Sequence, residues 1–117
     1  MEKPLPTFAK FNQNCLFLSE FRISDNMAEA LKSYLIFTKN DPSRIVKKLY
    51  IDDCGMRDHQ FAEILKGISA QGKIKQLIYS NNEFGPESTE RIIQLMPHLR
   101  EFQLANLTKG GNKIVVD

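Results

Sequence analysis

The chain has 117 residues, 42% of them hydrophobic and 26% charged, the makeup of one small globular domain that can bury a core with limited surplus stability. Its 16 basic and 14 acidic residues leave a formal charge of +2, too close to balance to point to nucleic acid or an anionic membrane surface. The longest clean apolar run, Tyr34 to Phe37, is far short of the roughly 20 residues that cross a bilayer, so no membrane insertion is expected.

The opening "MEKPLPTF" lacks the apolar core and cleavage site of a secretory signal, which makes a cytoplasmic setting the expectation and a nuclear one its alternative. Cys15 and Cys54 are too few and too far apart for a disulfide framework or a zinc site, and are read as free thiols. Phe8, Phe11 and Cys15 are helically spaced, so residues 1–17 are predicted to carry the helix of an incomplete repeat or cap.

From Leu18 onward four phrases recur: "LSEFRISDNMA" at 18, "VKKLYIDDCGM" at 46, "IKQLIYSNNEF" at 74 and "LREFQLANLTK" at 99, with starts 28, 28 and 25 residues apart. Three apolar columns align: Leu18, Val46, Ile74, Leu99; then Phe21, Leu49, Leu77, Phe102; then Ile23, Ile51, Tyr79, Leu104. The predicted units are 18–45, 46–73, 74–98 and a terminal unit with its cap at 99–117. Between the phrases the apolar period lengthens to that of a helix. The first helical stripe is Met27, Leu31, Tyr34 and Leu35, ending at the turn Asn40-Asp41-Pro42. The second is Phe61, Ile64, Leu65 and Ile68, closed by Gly72. The third is Ile92, Ile93 and Met96, with Pro86 near its first turn and Pro97 at its stop. At the end, Gly110-Gly111-Asn112 reads as a turn before a strand-like "KIVVD" that caps the last edge.

The phrases resemble the leucine-rich repeat pattern L-x-x-L-x-L-x-x-N/C-x-L, with Asn26, Cys54 and Asn82 in the asparagine slot and Leu107 departing from it. The period resembles the long, ribonuclease-inhibitor-like class, which includes GTPase-activating and actin-associated repeat domains. That resemblance, over about residues 8 to 109, implies an α/β fold: a right-handed solenoid of about four repeats, with parallel strands on the concave face and helices on the convex face.

Alternation along each strand then points the residues between the apolar columns outward. The central outward column is expected to be Arg22, Tyr50, Ile78 and Gln103, with Tyr50 and Ile78 as neighbouring apolar anchors. Lys48 and Gln76 are expected beside them, Lys47, Lys75 and Arg100 at the strand starts, and Asp25, Asp52, Asp53 and Asn81 at the strand ends. The face is thus expected to be basic at one end and acidic at the other, with Arg22, Lys48, Tyr50, Asp52, Gln76, Ile78 and Gln103 as partner-binding residues.

No catalytic, cofactor or metal residues are assigned. His59 and His98 fall outside the strands without a nucleophile to activate, Gly110-Gly111 lacks the lysine and helix of a phosphate loop, and Asp25, Asp52 and Asp53 lack calcium-loop spacing. The expected function is a non-enzymatic protein-interaction module or small adaptor without a cofactor. The resemblance also allows a regulatory protein that stimulates a GTPase or serves a cytoskeletal assembly, or a structural segment of a larger repeat protein and complex.

Overall fold

The computed structural model describes residues 10–109 and 112–113. Strands β1 (Lys10–Asn12) and β2 (Cys15–Ser19) form an antiparallel hairpin. Helix α1 (Asp25–Thr38), strand β3 (Lys48–Asp52), helix α2 (Asp58–Gln71), strand β4 (Gln76–Ser80), helix α3 (Pro86–Leu95) and strand β5 (Glu101–Ala105) then alternate. A 3-10 turn over Met96–His98 follows α3, and a small hairpin of β6 (Thr108–Lys109) and β7 (Asn112–Lys113) follows β5. The fold is α/β: one five-stranded sheet in the order β1-β2-β3-β4-β5, with β2 to β5 parallel. The helices stand side by side in the same order as the strands they connect, α1 against α2 and α2 against α3.

The register brings two inward columns together, Leu16-Leu49-Leu77-Phe102 and Leu18-Ile51-Tyr79-Leu104. The first three residues of each are fully buried, whereas Phe102 and Leu104 on the edge strand β5 are only partly covered. Against these columns pack Leu31, Tyr34 and Leu35 of α1, Phe61, Ile64, Leu65 and Ile68 of α2, and Ile92 and Leu95 of α3. Tyr79 lies flat on Phe61, ring centroids 3.6 Å apart, and its hydroxyl donates to the Glu83 carbonyl, so an aromatic with a polar tip fits an apolar column.

Three local devices set this geometry. Each of the parallel strands β2 to β5 is followed at once by a residue with positive φ, Glu20, Asp53, Asn81 and Asn106, which turns the chain out of the sheet. Five residues then separate strand from helix in all three crossovers: 20–24, 53–57 and 81–85. At the other end the carbonyls of Asn14, Lys47 and Lys75 each accept two N–H groups from the next strand start, at 2.7–3.3 Å, which stacks the rungs in register.

Three expectations are corrected here. Residues 10–12 form a strand, not the end of a helix, because Gln13 and Asn14 both take positive φ and close a two-residue hairpin turn; Phe8 lies outside the described residues. The first repeat phrase begins earlier than Leu18: Leu16 pairs with Leu49 and Leu18 with Ile51. The rungs are therefore 33, 28 and 25 residues apart, measured from Leu16 to Leu49, Leu77 and Phe102. The five extra residues lie between α1 and β3, where nine residues (39–47) do what four (72–75) do between α2 and β4. On α3, Ile92 and Leu95 form the buried stripe, while Ile93 and Met96 face outward. The "KIVVD" tail is described only at Lys113, within the separate β6-β7 hairpin; its remaining residues lie outside the described part.

Candidate interaction face

With the helices on one side of the sheet, the opposite side carries three columns that no helix covers. The central one is Phe17-Tyr50-Ile78-Gln103. The one at the strand starts is Cys15-Lys48-Gln76-Glu101, and the one at the strand ends is Ser19-Asp52-Ser80-Ala105. Tyr50 and Ile78 are adjacent, as the strand alternation predicts, and both are half-buried. Lys48, Gln76, Asp52 and Gln103 also fall on this face.

Arg22 does not. It was expected in the central column through an alignment that placed Phe21 over Leu49, but it lies in the loop after β2, exposed, alongside Glu20, Asp53 and Gly55 at the strand-end side. The position belongs to Phe17, 38% exposed, whose ring stands 6.0 Å from that of Tyr50 at a tilt of 52°. The apolar patch is therefore a contiguous stripe of Phe17, Tyr50 and Ile78 across three strands. The triplets Leu16-Phe17-Leu18, Leu49-Tyr50-Ile51 and Leu77-Ile78-Tyr79 carry the signal for it. It is hidden from a search at a constant period of 28 by the longer loop after α1.

No family model, no curated protein and no solved structure matches this chain. The reading of the face therefore rests on its own geometry.

Polarity along the strands follows the predicted order at Lys47, Lys75, Arg100 and Asp52, whereas Asp25, expected at the strand ends, is the first residue of α1, because the first strand lies earlier than the repeat phrase placed it. Lys47, Lys75 and Arg100 occupy consecutive rungs just before the strands, and with Lys73, Gly72 and Gln76 they line an open cleft of about 550 Å³. At the other end Asp52 accepts hydrogen bonds from Ser80 Oγ (2.8 Å) and Asn81 Nδ2 (2.7 Å), which fix its carboxylate at the rim of the sheet. Glu101 interrupts the basic side: its two oxygens accept from Gln76 Nε2 (3.2 Å) and Gln103 Nε2 (3.1 Å).

The asparagine slot is resolved residue by residue. Asn82 is buried, accepts the N–H groups of Cys54 and Met56 from the preceding loop, and donates to the Ser80 carbonyl. Cys54 occupies the equivalent place one rung back, donating its thiol to the Asp52 carbonyl, and Leu107 fills it as a buried apolar residue. In the first unit Phe21 stands there; Asn26, expected in the slot, is an exposed residue of the first turn of α1, which Ser24 caps by accepting the Met27 N–H at 3.2 Å. Burial pushes the Cys54 thiol up to about 12 and also raises Cys15, so both stay protonated near neutral pH and are poor nucleophiles.

His59 binds the Asp25 carboxylate at 2.8 Å, and together with the amide of Gln60 it holds that carboxyl below its ordinary range. This pair joins the N-terminal turns of α1 and α2 away from the open face. Among the described residues no cluster of His, Cys, Asp or Glu could hold a metal ion, and no helix is long and apolar enough to cross a membrane.

Proposed function

We propose that this chain is a leucine-rich repeat module of the long class, a right-handed array of about four repeats, and that it binds a partner protein through the concave strand face. The observation that carries the reading is the partly exposed stripe Phe17-Tyr50-Ile78 on hydrogen-bonded parallel strands. Aromatic and aliphatic anchors grouped at the centre of a polar surface are the usual source of interface affinity. Lys48, Gln76, Gln103 and Asp52 supply the surround, and the charge gradient along the strands orients the partner. Repetition of the five-residue descent, the positive-φ residue and the carbonyl stack at each rung supports the repeat assignment.

The test is affinity capture from whole-cell lysate with the wild-type chain and with Tyr50→Ala/Ile78→Ser, after circular dichroism has established that the variant folds. A partner held by the first and lost by the second supports the reading; identical captures overturn it.

A second reading, a segment of a longer array, is favoured by one observation: the last helix exposes Ile93 (63%) and Met96 (49%), and the edge strand after it leaves Phe102 and Leu104 half-covered. On that reading the isolated chain self-associates in light scattering, and Ile93→Lys/Met96→Lys makes it monomeric.

A further inference from the structure

The strand-start cleft holds more positive charge than the fold has a use for. Lys47, Lys75 and Arg100 are locked on successive rungs by the carbonyl stack, and Lys73 joins them from the loop that follows Gly72. All four are exposed, and among the described residues none of them forms an ion pair. Neighbouring rungs lie about 4.8 Å apart, and like charges facing one another across strands are destabilising. Elsewhere Lys32 and Lys66 both close on Glu63, and Arg44 on Asp41. In the cleft a row of cations on successive rungs is left facing solvent, on the strand-start side of the apolar stripe.

We propose that the cleft binds the carboxylates of an acidic polypeptide segment, whose neighbouring apolar side chain lies on the Phe17-Tyr50-Ile78 stripe. This deepens, and rests on, the sheet-face reading above. The charge distribution selects the ligand class. A long uniform polyanion laid over the face, a nucleic acid or an anionic membrane, meets Glu101 within the basic column and Asp52 and Asp53 at the strand ends. A peptide with acidic residues at one end only avoids them. Lysines dominate the cleft, and their ammonium groups are point charges without the fork geometry that reads phosphate bidentately, so several carboxylates suit them. From Lys47 to Tyr50 is three residues of strand, about 10 Å, which three residues of an extended peptide also span. The recognised segment thus carries its acidic cluster about three residues from an apolar anchor.

The experiment is fluorescence anisotropy of a fluorescein-labelled octaglutamate peptide titrated with the full chain at low salt. It compares wild type, the cleft variant Lys73→Gln/Lys75→Gln, the charge-matched control Arg57→Gln/Arg91→Gln at the N-cap of α2 and on α3, and the sheet-face variant Tyr50→Ala/Ile78→Ser. Salt-sensitive binding is expected in wild type, weakened about tenfold in the cleft variant, as the loss of two exposed charge contacts implies. The control and the sheet-face variant are expected to stay within about twofold of wild type. The inference is overturned if octaglutamate does not bind, or if control and cleft variants lose binding equally. It is overturned too if phosphatidylserine vesicles or inorganic phosphate bind through Lys73 and Lys75 while octaglutamate does not. Because octaglutamate carries no apolar anchor, its binding reports on the cleft alone. Loss of the captured partner on Tyr50→Ala/Ile78→Ser reports on the stripe alone, so either reading fails without the other.

Discussion

Asn82 Oδ1 accepts the backbone N–H of Cys54 at 2.9 Å, one rung back in the sheet, and also that of Met56 at 3.1 Å. A single buried side chain therefore satisfies two donors of the neighbouring loop where they are shielded from water. Asn82→Ala leaves both without a partner, at about 1–3 kcal/mol for each unpaired group, and a net loss of about 2–4 kcal/mol is expected in urea unfolding. A loss below about 1 kcal/mol means the loop N–H groups reach solvent and the bridge is dispensable.

The two faces of the sheet make opposite predictions for substitutions one residue apart. Leu77 is fully buried, and Leu77→Ala is expected to cost about 2–5 kcal/mol as a core truncation. Ile78 points to the open face, and Tyr50→Ala/Ile78→Ser, or Phe17→Ser, is expected to change stability by less than about 1 kcal/mol. Thermal melts of the three proteins decide it. Unfolding of the Tyr50/Ile78 double variant reverses the assignment of the faces.

This contrast also marks what the sequence makes legible. Leu49, Ile51, Leu77 and Tyr79 alternate with Tyr50 and Ile78 inside phrases of equal period, so their orientation follows from strand geometry alone. Phe17 was out of reach for a physical reason: loops tolerate extra residues at little entropic cost, and the insertion before β3 breaks the period where it would have identified the first rung. The outward turn of Ile93 and Met96 was hidden likewise, because the sequence places four apolar residues within five positions and only packing against α2 selects Ile92 and Leu95. Position-specific roles such as Asp58 binding the start of α3 depend on contacts 27 to 30 residues apart, which no local pattern encodes.

Close approach of α1 and α2 needs the absence of a side chain at Gly67. A Cβ there would lie 3.0 Å from Lys32 Cγ and 3.2 Å from both Lys32 Cα and its carbonyl oxygen. The backbone of a packed helix yields little, so Gly67→Ala is expected to lower stability by about 1–2 kcal/mol even though alanine favours a helix by about 1 kcal/mol over glycine. Differential scanning calorimetry of Gly67→Ala tests this, and an unchanged or raised Tm means the helices part freely.

Both thiols are buried and shifted upward, Cys54 to about 12. Treatment of the native protein with Ellman's reagent near neutral pH is expected to release almost no thionitrobenzoate within minutes, and urea to release two equivalents per chain. Prompt reaction of one thiol in the native state identifies a local opening at that cysteine, below the global unfolding free energy.

The acid limb of the stability curve is expected to carry two separable contributions. Asp58 gains from accepting the N–H groups of Gly85 (2.9 Å), Glu87 (3.0 Å) and Ser88 (2.9 Å) at the positive start of α3. Partial burial works against its charge, but these bonds prevail and hold its carboxyl below the ordinary 3.8. A lowered carboxylate contributes stability that is complete above its unfolded value and is lost as pH falls through the folded one. Asp58→Asn should therefore cost about 1–2 kcal/mol near neutral pH, with the difference from wild type closing as pH falls through the lowered folded value and the native carboxyl takes up its proton. Glu63, hydrogen-bonded by Lys32 and Lys66, is lowered from 4.5 to about 2, so its contribution fades across that interval by the same sign. Its side chain is about a third exposed (32%), and screening limits Glu63→Gln to about 0.5–1 kcal/mol. Added salt discriminates them: about 0.5 M sodium chloride should erase most of the Glu63 contribution and leave most of the Asp58 one, whose oxygens accept directly from N–H groups, two of them partly buried. Equal salt sensitivity in the two variants would show that Asp58 acts through long-range charge, without its hydrogen bonds to the start of α3.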